Sequence, residues 1–332
     1  MLPEHTLVRP SIRIPPQGSR EPTNPIVTRF APSPTGDLHL GGAYVALASW
    51  WMARRWGEAG ALVLRMEDID TPRVVAGSAA RILDDLRWLG LEWKGGPFAQ
   101  SERLPRYELA LAALTARGLV YPCDCSRADI ARVASAPHAG EETVYPGICR
   151  ERDPARPMKR PPALRLRVPD ENVSVDDSLA GVLSQNLARD VGDFVLRRGD
   201  GVYAYQLAVV VDDLEMGITD VVRGIDLLGS TPRQIFLAQM LDAGAPRYHH
   251  VPLVVDAHGE RLAKRTAGAH IRGLREAGIT PEEILGELAH ALGLVASPRP
   301  CALSELLAAS AEKIAPCTFR IPDRWSAPRL AP

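Results

Sequence analysis

A chain of 332 residues with 46% hydrophobic and 24% charged side chains has an ordinary globular composition and the length for a large core or two domains. Its formal net charge of -1 excludes a uniformly basic nucleic-acid binder, and no apolar run reaches the roughly 18–20 residues that span a bilayer. Five cysteines, three clustered and two distant, do not make a disulfide framework; with no signal-like apolar core at the N-terminus, the expectation is a cytoplasmic protein.

Residues 1–25 are proline-rich and without periodicity, and read as a disordered or loosely docked extension. Ile26, Val27, Phe30 and Ala31 form a short apolar run that reads as a buried strand, and residues 43–56, apolar and free of proline, read as a helix. Between them runs Arg29-Phe-Ala-Pro-Ser33-Pro-Thr-Gly36-Asp-Leu-His39-Leu-Gly41-Gly42. Its prolines stiffen the loop, and its glycines let backbone approach a ligand closely. A loop entering a helix presents free N–H groups and the positive end of the helix dipole, which suits phosphate. His39, just before the glycine pair, is placed to donate a hydrogen bond to a phosphate oxygen.

Ala61–Met66 reads as a second strand, and residues 78–89 and 104–117 as helices closed by Gly90 and Gly118. This alternation predicts a parallel sheet whose ligands lie beyond the carboxyl ends of its strands. Residues 120–164, with cysteines and prolines, read as an insertion. Residues 163–168 alternate like an exposed strand, and residues 192–205 read as a hairpin turning at Arg198-Gly199-Asp200-Gly201. An apolar run at 207–211 stops at Asp212-Asp213, after which 218–222 and 251–255 read as strands. Residues 231–241, 281–292 and 302–311 read as helices.

Several constellations bear chemistry. The second strand ends in Arg65-Met66-Glu67-Asp68-Ile69-Asp70, and crowded carboxylates are costly unless they meet a cation; Glu67 suits an ammonium group, or belongs to a solvated acidic turn. Tyr205 and Arg223 are expected near strand termini of one sheet. With Arg29, Ser33 and Glu67 they offer what a zwitterionic, acidic amino acid needs, although taken by themselves the charged ones equally make surface ion pairs. The loop Gly259-Glu-Arg261-Leu-Ala263-Lys264-Arg265 offers closely spaced cations for a triphosphate, the solvated basic run being its plain alternative. Cys123-x-Cys125 and Tyr145-x-x-x-Cys149 give three thiols and a phenol, a pattern that favours a closed, structural zinc site with Tyr145 or His138 as fourth ligand.

In combination these motifs resemble the class I aminoacyl-tRNA synthetases of the glutamyl and glutaminyl branch. The loop from Arg29 to Gly42 is similar to that family's first signature, with His39-Leu40-Gly41-Gly42 as the ATP-binding tetrapeptide. Arg261-Leu262-Ala263-Lys264-Arg265 is similar to its second, Lys-Met-Ser-Lys-Ser, with the first lysine replaced by Arg261 and the serine by Ala263. The likeness covers residues 26 to 278.

It implies an α/β fold with a Rossmann-like catalytic core in two halves, residues 26–119 and 165–268, a zinc-binding insertion at 120–164 and a short helical extension at 269–332 with no anticodon-binding domain. It also implies that Arg29, Ser33, Glu67, Tyr205 and Arg223 hold L-glutamate, and that His39, Gly41, Gly42 and Lys264 act on ATP with magnesium. Cys123, Cys125, Tyr145 and Cys149 would bind zinc. Among the family's short members, this pattern is similar to those that attach glutamate to the queuosine base in the anticodon of tRNA(Asp). The alternatives are a truncated enzyme charging tRNA(Glu) and a non-catalytic RNA-binding or regulatory paralogue. The expected state is a monomer without membrane contact.

Overall fold

The computed structural model describes residues 25–133, 143–255, 270–308, 314–316, 319–320, 322 and 325. β1 (Val27–Phe30), α1 (Leu40–Arg54), β2 (Ala61–Met66), α2 (Ser78–Trp88), β3 (Gly95–Ala99) and α3 (Leu104–Ala116) come first. The chain then makes β4 (Val120–Cys123), α4 (Arg127–Val133), β5 (Ala163–Leu166), β6 (Asn172–Asp177), β7 (Gly181–Asn186), α5 (Leu187–Asp190) and β8 (Val195–Arg197). It continues through α6 (Tyr205–Glu215), β9 (Asp220–Gly224), α7 (Thr231–Met240), β10 (Arg247–Val251) and β11 (Val254–Val255). Last come α8 (Ile271–Glu276), α9 (Pro281–Ala291), α10 (Leu303–Ala308) and β12 (Phe319–Arg320).

Five strands in the order β10-β9-β1-β2-β3 form a sheet in which every pairing is parallel. Both faces are covered, as parallel sheets require. Successive side chains of a strand point to opposite faces. Thus Phe30, Leu62, Leu64 and Val222 join the core under α1, α2 and α9, whereas Val63 and Val221 join the one under α3, α6 and α7. The same alternation sends Arg29, Arg65 and Arg223 to the α6 face. The chain winds from β1 outward to β2 and β3, then resumes at β9 on the other side of β1. The crevice for ligands therefore opens between the carboxyl ends of β1 and β9.

The stretch outside the parallel sheet is longer than the cysteine-bearing segment. β8 completes a three-stranded antiparallel sheet, in the order β4-β5-β8, and β6 and β7 form a separate hairpin. β2 has its predicted bounds, and α2 and α3 stop just before Gly90 and Gly118, which adopt positive φ.

Four readings need correction. The helix read at 43–56 begins at Leu40, so the glycine pair lies in its first turn. Asp212 and Asp213 do not end the apolar run at 207–211: they are buried inside α6, because cations face them. The strand read at 251–255 is instead β10, four residues earlier, followed by the two-residue β11; the polar start of β10 is accommodated because Asp220 takes hydrogen bonds from Arg247 and His249. The turn at 198–201 is present, but its return strand shrinks to one bridge between Arg197 and Tyr203, after which Tyr205 opens a helix. β3, an edge strand with two glycines and a proline, carries no strand signal in its sequence.

Burial raises the Asp220 carboxyl, but hydrogen bonds from His249, Arg247 and Thr219 outweigh it and hold it at about 2. A carboxyl so depressed stabilises the fold above its unfolded pKa of about 3.9, and that contribution is lost as pH falls toward 2. Asp220→Asn is expected to remove about 2 kcal/mol at pH 7 and to flatten the acid limb of stability between about pH 4 and 2. Urea melts across that range check both.

Candidate active site

At the carboxyl end of the α6 face, three buried guanidinium groups meet carboxylates and polar side chains. Arg65, 0% exposed, donates from Nη1 to Asp213 Oδ1 at 2.7 Å and from Nη2 to Glu67 Oε1 at 3.2 Å, and its Nε lies 3.6 Å from Asp212 Oδ2. Burial opposes this charge, but Asp213, Glu67 and Asp212 together raise its pKa above the ordinary value. Arg29 donates to the Val222 carbonyl at 3.0 Å and places Nε 3.4 Å from Asp213. Asp212 accepts from Gln100, Arg103 and Tyr107 at 2.8, 2.6 and 2.9 Å. Burial raises Asp213 as well, yet Arg65 and Arg29 leave it below its ordinary value.

Arg223, on β9, differs from these two. It donates to His250 Nε2 at 2.9 Å, Gln234 Oε1 at 2.8 Å, Thr231 Oγ1 at 2.7 Å and, more weakly, to Tyr205 OH at 3.4 Å. Its guanidinium also lies 5.1 Å from the centre of the Tyr248 ring. Among the described residues its hydrogen-bond partners include no carboxylate, although only 3% of it is exposed. Tyr205 stands at the first residue of α6 rather than at a strand terminus, and reaches Arg223 from there. Burial raises the pKa of Glu67 despite Arg65 and Arg29.

The loop after β1 is tied to this cluster of side chains. The Glu67 N–H donates to the Pro32 carbonyl at 3.0 Å, tying the loop to the end of β2. Ser33 is exposed. His39 caps α1, accepting the Gly42 N–H on Nδ1 at 3.1 Å. The ring donor is therefore Nε2, since neutral imidazole carries one proton. A Cβ at residue 41 would stand 3.1 Å from His39 Nδ1, so Gly41 leaves the cap its room. Beyond the loop, the Ile271 N–H donates to the Leu38 carbonyl at 2.8 Å and His270 bridges to His39, which brings residue 270 beside the first signature. Lys264, Arg261 and Ala263 lie outside the described residues, as does His138.

A second cluster sits in the antiparallel sheet. The sulfurs of Cys123, Cys125 and Cys149 lie within 4.8 Å of one another, and Tyr145 OH lies 3.2 Å from Cys123 Sγ. Tetrahedral zinc with bonds of about 2.3 Å has S···S edges of roughly 3.8 Å, so the three thiols fit a metal, and the Tyr145 phenol, which accepts the Cys149 N–H at 2.9 Å, lies beside them. Burial and the neighbouring sulfurs push Cys125 up to about 12, whereas at Cys123 burial is outweighed by hydrogen bonds from Tyr145 and the Cys125 backbone, which hold it below its ordinary value. Arg165 lies over the Tyr145 ring at 3.7 Å, and Arg156 donates to Cys149 Sγ at 3.3 Å. No helix among the described residues is long and apolar enough to cross a membrane.

The sequence singled out Arg29, Glu67, Tyr205 and Arg223, and the fold gathers them. It did not single out Arg65, Asp212, Asp213, Asp177 or His250 for a role. The available signal was Asp212-Asp213 next to an uninterrupted apolar run, since buried carboxylates call for buried cations.

A parallel sheet with a crevice between β1 and β9 and a histidine-capped, glycine-opened helix at its rim defines a class I synthetase catalytic domain. Consistent with this, residues 25–299 match the family of tRNA synthetases class I (E and Q), catalytic domain. Glutamyl-Q tRNA(Asp) synthetase of Symbiobacterium thermophilum is 47% identical over 295 residues, covering 84% of this chain and 90% of that protein. Its counterpart from Deinococcus radiodurans is 50% identical over 290 residues, covering 85% and 95%. A glutamate tRNA ligase from Elizabethkingia meningosepticum, solved in complex with its amino acid, superposes with a TM-score of 0.78 at 27% identity, covering 91% of this chain and 68% of that one. The chain belongs to the class I tRNA synthetases of the E and Q type, and within them to the family of these glutamyl-Q tRNA(Asp) synthetases.

Asp213 is shared by two buried guanidinium groups, and removing one partner of a buried pair costs about 3–5 kcal/mol. Asp213→Ala is expected to destabilise by that amount, measured by chemical denaturation, with Asp213→Asn intermediate. For the cysteine cluster, metal analysis of freshly purified protein is expected to find about one zinc per chain, and Cys125→Ala to release it. Metal-free protein as purified would remove the assignment.

Proposed function

We propose that this chain activates L-glutamate with ATP, without needing RNA, and then transfers the glutamate to the queuosine base in the anticodon of tRNA(Asp). The observation that carries the first half is Arg223: a buried cation whose hydrogen-bond partners are all uncharged calls for an anion from outside the protein. An amino-acid carboxylate supplies it, held by the planar fork. Arg29, Ser33 and Tyr205 complete the contacts to glutamate, and Glu67 takes its ammonium group.

His39 Nε2, the backbone at Gly41 and Gly42, and Lys264 are assigned to ATP, with magnesium on the phosphates. The glutamate α-carboxylate attacks the α-phosphorus, and the bond to pyrophosphate breaks. Glutamyl-adenylate results without a protein nucleophile, so positioning and charge stabilisation carry the catalysis. A hydroxyl of the queuosine cyclopentenediol then attacks the activated carbonyl, its proton is released, and AMP departs. The zinc assigned to Cys123, Cys125, Tyr145 and Cys149 is structural, since four protein ligands leave no open position. What supports the choice of RNA is the identity of 47–52% to several glutamyl-Q tRNA(Asp) synthetases.

The test is direct. Glutamate-dependent ATP–pyrophosphate exchange is expected without tRNA, and labelled glutamate is expected to enter tRNA(Asp) that carries queuosine and not tRNA(Asp) that lacks it. Acylation of tRNA(Glu) alone would replace this reading with a truncated glutamyl-tRNA synthetase, and folded protein without exchange would favour a binding role. Arg223→Lys, which loses the fork, is expected to raise the KM for glutamate by roughly tenfold or more.

A further inference from the structure

Arg223 does not hold its own orientation; a buried histidine and aspartate stand behind it. Its Nε can only donate, so His250 Nε2, 2.9 Å away, must accept. The imidazole proton is then on Nδ1, which faces Asp177 Oδ2 at 2.5 Å. Asp177 is fixed in turn. Its Oδ1 accepts the N–H groups of Leu179 at 3.0 Å and Ala180 at 2.8 Å, and both of its oxygens lie 3.1 Å from the His250 N–H. His250 and Asp177 are both buried, so water does not compete for these bonds. The strand register places His250 opposite Arg223, whereas Asp177 comes from the end of β6, outside the parallel sheet.

The charged groups around the ring agree with a neutral imidazole. Burial lowers the His250 pKa most, and Arg223 and Arg29 lower it further against the pull of Asp177. Thr231 Oγ1 lies 3.3 Å from Nε2, and the Tyr248 ring is stacked at 6.1 Å.

We propose that His250 is a positioning residue for glutamate binding, held by Asp177 in the single tautomer that accepts the Arg223 Nε–H and so aims the guanidinium fork at the substrate carboxylate. This rests on the reading of the pocket as a glutamate site, and it adds two residues that touch neither substrate. It also gives the β6–β7 hairpin a part in substrate binding.

The variant that isolates the claim is Asp177→Asn, which keeps the shape and changes the hydrogen-bond sense. The turn N–H groups of Leu179 and Ala180 hold the amide oxygen in place of Oδ1. The amide NH2 then faces His250 Nδ1, makes that atom an acceptor and moves the ring proton to Nε2, against Arg223. An isosteric Asn behind an oriented histidine imposes the wrong tautomer in this way.

Two measurements decide it. Nitrogen-15 NMR of the histidine rings at pH 7 is expected to show His250 protonated on Nδ1 in the wild type and on Nε2 in Asp177→Asn. In ATP–pyrophosphate exchange, Asp177→Asn is expected to raise the KM for glutamate about tenfold while the KM for ATP stays within about twofold, a split that general destabilisation would not produce. His250→Gln, which keeps an acceptor near Nε2, is expected to stay within about threefold of wild type, and His250→Leu is not. A wild-type ring protonated on Nε2, or an unchanged KM for glutamate in Asp177→Asn, would overturn the proposal. Failure of the wild type to exchange with glutamate overturns the substrate reading instead, while the NMR result still decides how Arg223 is held.

Discussion

Three guanidinium groups buried on one face of a five-stranded sheet are the constraint around which the site is built. Desolvating each costs several kcal/mol unless charges or hydrogen bonds repay it. Two of the three are repaid inside the protein: Arg65 by Asp213, Glu67 and Asp212, and Arg29 by Asp213 and the Val222 carbonyl. Two adjacent aspartates in an otherwise apolar helix make this possible. α6 can lie against the sheet with its apolar run in the core and its last turns among the cations.

Arg223 differs: neutral acceptors take its hydrogen bonds, and among the described residues no carboxylate hydrogen-bonds to it, although Asp213 feels its charge. The neutral acceptors themselves depend on chain far away in sequence. Asp177 comes from the hairpin, His250 from β10, and Thr231 and Gln234 from α7. The segment that departs from the parallel sheet thus reaches Arg223 through Asp177 and His250, and also carries the thiol cluster.

Much of the fold was legible in the sequence where local rules decide. β2 is readable as an uninterrupted apolar run, and α2 and α3 because each helical stretch ends at a glycine that supplies positive φ. β3 was not, because an edge strand with Gly95, Gly96 and Pro97 has no strand propensity and exists only because β2 lies beside it. β10 was misplaced because Arg247 and His249 look like loop residues until Asp220 is set against them. The start of α1 is hidden because glycines disfavour helix interiors, whereas His39 caps this helix from outside the pair.

The family is written in the sequence, through a signature loop from Arg29 to Gly42, and so are the candidate ligands of a metal, through the spacing of Cys123, Cys125 and Cys149 with Tyr145 or His138 as the fourth. Those are contiguous patterns, and short stretches of chain carry them whole. The placement of β9 next to β1, and with it the flanking of one crevice by Arg29 and Arg223, comes from the folded chain alone. Which arginine lacks a carboxylate among its hydrogen-bond partners is likewise a tertiary property, because it depends on what α6, α7, β9 and β10 bring within hydrogen-bond reach of a guanidinium group. Strand order and desolvation belong to the whole chain, and no local stretch of sequence contains them.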